Sequence, residues 1–412
     1  MEYRQHQLAN GLTILAECNP RAYMAAYGFF VKAGSRDETN NIGGVSHFLE
    51  HMVFKGTPNR TAEQVNLELD EMGSASNART GEESTIYHSA VLPEFQSQMV
   101  DLMTDLMRPS LREADFNTEK KVIIEEIKMY QDQPPYGGHE RIMADFFGTH
   151  PLGQSVLGTV DTVTQLSANQ MKAYFESRYS PGNIAFAAAG NIDFEQLIID
   201  LEHACGEWQT ADAPRNQEQA DYQSGFQCLH KHASHQQYIL QLSPGPSAES
   251  MDRYAFRVAT AILGDDSGSR LYWEFLDSGI AESAGAGAYE YLNNGLMMTY
   301  LCCSPDAAQD NLRRLKQVQD RFYEKGVTQK ELDMAKRKIA SHIILSSERT
   351  EHRMFSVGAQ WLVGQPFKTV SEIAGIYDAI TLEEVNEVIR RYPHKNNMTL
   401  VIGPRTDLQP AD

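Results

Sequence analysis

At 412 residues the chain exceeds what one hydrophobic core usually serves, so two or more domains are expected. Its 42% apolar and 22% charged residues give ample material for packed cores and exclude a disordered or fibrous chain. A formal net charge of −19 excludes nucleic acid and anionic lipid surfaces as partners, because both repel an acidic surface.

The N-terminal MEYRQHQLANG lacks the apolar stretch of a signal peptide, and no apolar run of membrane-spanning length follows. The cysteines Cys18, Cys205, Cys228, Cys302 and Cys303 are scattered, odd in number and without a CxxC pair. That argues against a disulfide framework or a thiolate zinc site and fits a reducing compartment, so a cytoplasmic protein is expected. GLTILAEC (11–18) and MAAYGFFVKAG (24–34) read as strands. Gly43 and Gly44 precede VSHFLEHMVFKG, which suits a helix. Thr61 and Gln64 form a capping box that opens a second helix, and Gly73 ends it. SASNARTGEESTIYHSAVL (74–92) reads as two strands around a polar turn, and EFQSQMVDLMTDLM and NTEKKVIIEEIKMYQ read as longer helices.

From Glu207 to Ser224 the chain turns polar and nearly free of aliphatic residues, which places a linker at 211–224. The segments on its two sides match. LSANQMKAYFESRYSPGN (166–183) before the strand IAFAAAG resembles ITLEEVNEVIRRYPHKNN (380–397) before MTLVIG. Leu166 matches Ile380, Met171 matches Val385, Phe175 matches Ile389, and after one deletion Tyr179 matches Tyr392 and Gly190 matches Gly403. ADFNTEKKVIIEEI likewise resembles GVTQKELDMAKRKIA. Two matches in the same order point to an internal duplication of an α+β unit. The expected fold is therefore α+β, with two homologous domains at 1–210 and 225–412, each a mostly antiparallel sheet with helices on one face.

HFLEH (47–51) occurs in the first half only. A motif kept for packing should survive in both copies; one kept for chemistry need survive in one. His47 and His51 lie at i and i+4, so both imidazoles of one helical face can reach one tetrahedral zinc. Glu50 lies beside that position, free to take a proton from water. The reversed H-x-x-E-H order is a known catalytic pattern. A half-buried helix with two histidines gives the same five letters. A catalytic site also needs a third protein ligand, and TEKKVIIEEIKMY offers candidates. Glu119 and Glu126 are two turns apart on one face, and Glu125 points about 100° away. Exposed glutamates pairing with Lys120 and Lys121 remain the alternative reading.

HFLEHMVFKGT, followed by EKKVIIEEI, resembles the pitrilysin/insulinase-type zinc metallopeptidases, the inverzincins, and most closely their bacterial, mitochondrial processing peptidase-like branch. The likeness spans nearly the whole chain. It takes in NGLTI, GSRDE, GVSHFLEH, SNART with the later Tyr87, YSPGN and SRL at 269–271. It implies one zinc per chain, held by His47, His51 and Glu126, with Glu50 as general base and Glu119 supporting from behind. It implies a zinc endopeptidase, a hydrolase of peptide bonds acting on peptides or unstructured segments held extended in a closed chamber. Asn77 and Ala78 would present backbone groups to the substrate. Arg270 matches a substrate-binding arginine of the second half. The family tyrosine falls at Glu282, a departure that Tyr289 or Tyr291 would have to make good; a carboxylate donates no hydrogen bond to an oxyanion. The chain equals half of a clamshell. It is expected to pair with a second two-domain chain, as a homodimer or as a heterodimer with a zinc-less subunit that carries the arginine and tyrosine. The acidic charge adds an expected preference for basic peptides.

Overall fold

The structure, a computed structural model, describes residues 1–411. Six strands form the first sheet: β1 (Glu2–Gln7), β2 (Thr13–Cys18), β3 (Ala25–Val31), β4 (Ala75–Thr80), β5 (Thr85–Val91) and β6 (Ile184–Gly190). Their spatial order is β1-β2-β6-β3-β5-β4. Five strands form the second: β7 (Gly225–His230), β8 (Gln237–Pro244), β9 (Ser283–Tyr291), β10 (Asn294–Cys303) and β11 (Met398–Gly403), in the order β7-β11-β8-β10-β9. Without β1 the two orders are the same, β2 through β6 standing where β7 through β11 stand. Each sheet has one parallel pair, β2 with β6 and β7 with β11, among otherwise antiparallel neighbours. The duplication expected from the sequence is thus repeated in the topology.

The helices of the first half are α1 (Val45–Val53), α2 (Ala62–Glu71), α3 (Gln96–Leu106), α4 (Glu113–Asp132), α5 (Gly138–Phe147), α6 (Val160–Gln165), α7 (Ala168–Arg178) and α8 (Phe194–Cys205). Those of the second are α9 (Asp252–Gly264), α10 (Ala308–Lys325), α11 (Gln329–Ser347), α12 (Thr350–Leu362), α13 (Val370–Ala379) and α14 (Leu382–Arg391). The matched segments fall on α7 with β6 against α14 with β11, and on α4 against α11. None of these helices is long and apolar enough to cross a membrane.

The chain folds into two compact units. The first comprises Met1–Lys128, Gln154–Asn216 and Leu345–Phe367; the second comprises Met129–Gly153, Gln217–Ile344 and the residues from Lys368 on. The division expected at 210 and 225 differs from this in two segments. Residues 129–153 belong with the second sheet, and 345–367 with the first.

The reason is that both sheets are apolar on both faces. In the first unit one face packs on α1, α3, α4, α7 and α8 through Phe29, Phe48, Phe116, Ile123, Phe186 and their neighbours. The other face, with Leu15, Phe30, Ile86, Ala185, Ala187 and Ala189, is covered by Met354 and Val357 of α12. The alanines and Gly28 let that helix come close: a Cβ on Gly28 would stand 2.8 Å from Met354 Sδ. Arg353 of α12 pairs with the buried Glu17 of β2, Nε to Oε2 being 2.6 Å. In the second unit α5 takes the equivalent place, with Ile142, Met143, Phe146 and Phe147 against Leu240, Leu242 and Ile402.

Candidate metal centre

The helix that carries HFLEH is fixed from three sides. Gly44, the residue that caps its N-terminus, adopts φ +89°, and a Cβ there would lie 2.5 Å from Leu157 O, so only glycine fits. No side chain of its own caps the helix; Glu38 does so instead, accepting from Gly44 N and Ser46 N at 2.7 Å each. Burial pushes the Glu38 carboxyl up to about 8, against the lowering by these donors. Ser46 Oγ also meets Tyr174 Oη at 2.6 Å. Phe48, Leu49, Met52 and Val53 lie in the core, where Phe48 stacks on Phe116 of α4 with ring centroids 4.6 Å apart. The apolar face being held, His47, Glu50 and His51 stand on the opposite side, toward α4.

On α4, Phe116, Ile123 and Ile127 are buried in the same core and turn Glu119 and Glu126 toward the histidines. Glu125 points elsewhere and pairs with Lys128 at 2.7 Å. Among the described residues, His47, His51 and Glu126 form a group whose ligand atoms all lie within 4.8 Å of one another. Glu126 Oε2 is 3.8 Å from His47 Nε2 and 3.6 Å from His51 Nε2. Tetrahedral ligands at ordinary zinc bond lengths stand about 3.3 Å apart. The two Glu126 contacts lie within about half an ångström of that spacing, and the group as a whole, spanning up to 4.8 Å, would have to close further around an ion. Burial, and then the neighbouring His51, hold His47 down to about 4, so its imidazole is neutral with a lone pair to give.

His51 Nδ1 meets Glu119 Oε1 at 2.9 Å. An ionised carboxylate only accepts, so the ring donates from Nδ1, and Nε2, which faces Glu126, is the nitrogen left to serve as a ligand atom. Burial raises the Glu119 carboxyl, but Lys55 and His51 outweigh it and leave the group below the usual range. Lys55 Nζ stands 2.8 Å from Glu119 Oε2.

Glu50 approaches the centre from the side. Burial pushes its carboxyl up, and the Thr80 hydroxyl, donating to Oε2 at 2.5 Å, pulls it back. Thr80 ends β4, the edge strand of the first sheet, so that strand is tied to the site. Asn77 and Ala78 lie on the same strand, paired with His88 and Tyr87 of β5. Among the described residues no strand pairs with their other edge. There Ala78 N donates to Asn77 Oδ1 at 2.8 Å, a bond an incoming strand would have to exchange.

Arg270 and Glu282 belong to the second unit. The Arg270 guanidinium forks onto Glu331 (2.8 and 3.1 Å) and donates to Gly326 O at 2.8 Å, fastening the chain after α9 to the start of α11. Glu282 accepts from Gln236 Nε2 at 2.6 Å. Tyr291 is buried, and Tyr289 is exposed. The sequence reading did not single out Lys55, Thr80 or Glu38. Lys55 lies four residues after His51, a spacing that could have marked it. Thr80 and Glu38 act through tertiary contacts that no spacing announces.

Two histidines and a carboxylate that could hold a metal ion, with a separate carboxylate beside them, are the donor set that suits a hydrolytic metal site. A family model described as insulinase (peptidase family M16) matches residues 13–160, and one described as peptidase M16 inactive domain matches 165–339. An uncharacterized zinc protease of Streptomyces coelicolor is 30% identical over 98% of this chain and 90% of its own length. The Bacillus subtilis zinc protease YmxG is 29% identical over 97% of this chain and 98% of its own. A solved protease from Helicobacter pylori aligns with a TM-score of 0.92 at 19% identity, covering 97% of this chain and 99% of that one. A Pseudomonas fluorescens structure described as a peptidase M16 inactive domain aligns at 0.92 and 18%, over the whole of both chains. At those identities the likeness to solved structures is one of fold. The chain belongs to the M16, or insulinase, family of peptidases.

Proposed function

We propose that this chain, a zinc metallopeptidase, is an endopeptidase whose metal is held by His47 Nε2, His51 Nε2 and Glu126. When bound, zinc supplies Lewis-acid polarisation and acidifies water. Glu50 accepts the proton of the attacking water as it adds to the peptide carbonyl, and passes it to the leaving nitrogen. Glu119 holds the His51 tautomer. The free edge of β4 takes the substrate as an added strand through Asn77 and Ala78, so peptides and unstructured segments are the substrates. The observation that carries this reading is the convergence of three ligand atoms within 4.8 Å, with Glu50 alongside and not among them.

The chain works with a second two-domain chain that completes a closed chamber. A homodimer is the simplest form. The homodimer is the first reading; a zinc-less partner supplying an arginine and a tyrosine is the second, supported by Glu282 at the position of the family tyrosine and by the engagement of the Arg270 guanidinium by Glu331.

The test is zinc content and peptide cleavage of the purified chain, beside a Glu50→Gln variant. Wild type should hold about one zinc per chain, and the variant should keep the metal and lose cleavage. A chain without stoichiometric zinc, or a variant as active as wild type, overturns the reading. Zinc without cleavage by the chain alone calls for the complementary subunit.

A further inference from the structure

We propose that Lys55 is a positioning residue of the metal centre, acting through Glu119 on His51. The proposal rests on the zinc reading above and adds a residue to it. Lys55 lies four residues after His51, in the turn that follows α1, and its ammonium lies 2.8 Å from Glu119 Oε2, while the other oxygen, Oε1, takes His51 Nδ1 at 2.9 Å. Glu119 is 5% exposed, and among the described residues its ion-pair partners are these two.

A buried carboxylate bound through one oxygen can still turn about its last bond. Bound through both, from opposite ends, its plane is set, and with it the ring that donates to it. Lys55 anchors the carboxylate from the half-exposed side of the site, so Oε1 stays directed at His51. The two histidines are not equivalent in this respect. Among the described residues no group hydrogen-bonds to the buried His47 Nδ1, and the outer hydrogen bond that orients a ligand ring falls on His51. A restraint that acts on one ring has no substitute on the other.

The direction of the effect separates this role from a plain charge effect. Lys55 is a cation near a dication site, so by repulsion alone its removal would tighten zinc binding. As a positioning residue its removal weakens binding, because the His51 ring is no longer held for the metal.

The experiment is a competition between the metal-free full chain and a chromophoric chelator for zinc, with wild type, Lys55→Met, Lys55→Arg, Glu119→Gln and the double variant Lys55→Met/Glu119→Gln. Loss of an outer partner costs about 10- to 100-fold in metal affinity. Lys55→Met should weaken zinc binding about tenfold, Lys55→Arg should restore most of it, and Lys55→Met should add nothing in the Glu119→Gln background. Thermal unfolding of the metal-free variants checks their fold; should Lys55→Met not fold, Lys55→Gln takes its place in both backgrounds. Zinc binding that is unchanged or tighter in Lys55→Met, or effects of the two sites that simply add, overturns the proposal and leaves the zinc reading standing. Wild type that binds no zinc overturns both.

Discussion

Arg270 has two readings that differ in what its loss does. The resemblance makes it a substrate-binding group. Its contacts make it a fastening: a fork onto Glu331, whose own carboxylate also accepts from the Thr328 N–H and hydroxyl. Burial raises the Glu331 carboxyl, but Arg270 and Thr328 outweigh it, so the folded value lies below the ordinary 4.5. A depressed carboxylate contributes stability that is fully present above its unfolded pKa and is lost as pH falls through the folded value. Arg270→Met should therefore lower stability by about 1 kcal/mol at pH 7, the pair being partly open to solvent screening. The difference from wild type should shrink once pH falls below about 4.3. Urea unfolding at pH 7 and pH 3.5 measures it. A variant with unaltered stability and a lowered kcat/KM would restore Arg270 to the substrate. At this scale the sequence exposed what spacing encodes: the i, i+4 histidines, Glu50 between them, and the seven-residue step from Glu119 to Glu126. It did not expose that Arg270 would find Glu331, because the two are far apart in the chain and neither residue type chooses its partner alone.

Among elements, the exchange of α5 and α12 was the part hidden from sequence. IAFAAAG is apolar at every position, which says that β6 is covered on both faces but not by what. Both helices have an apolar stripe that suits either sheet, and only the fit of small residues decides. Gly358 of α12 shows this. A Cβ there would stand 2.3–2.5 Å from three atoms of the Phe30 ring, itself fully buried. Alanine is favoured over glycine inside a helix by about 1 kcal/mol, but overpacking a filled core costs about 1–3 kcal/mol. With contacts this short the packing term sits at the upper end of its range and wins, and Gly358→Ala should lose about 1–2 kcal/mol net. Gly375 of α13 is the control. It is exposed with nothing within 4 Å of an added Cβ, so Gly375→Ala should gain about 0.5–1 kcal/mol. Denaturant unfolding of both variants is the measurement. If Gly358→Ala were stabilised as Gly375→Ala is, α12 would not lie against β3 in solution.

For the whole molecule, duplication and charge are the two features that a sequence states directly. The repeated order of the sheets follows from the repeated segments, and the absence of HFLEH from the second half leaves one metal centre for two homologous units. The charge bears on substrate choice. A net −19 spread over a chain of this size gives a negative potential that falls off over about 8 Å at physiological ionic strength. An approaching basic peptide gains from that potential and an acidic one loses, and the gain acts on encounter more than on the chemical step. Two peptides with the same scissile sequence, one flanked by lysines and one by glutamates, should therefore differ in kcat/KM by about tenfold or more at low salt. The ratio should fall toward one as salt rises to about 1 M, where the screening length is about 3 Å. Steering of this kind leaves kcat alike for the two peptides. A preference that stayed constant with salt would belong to specific contacts along β4, and equal rates at every salt concentration would mean that the acidic surface has no part in choosing substrates.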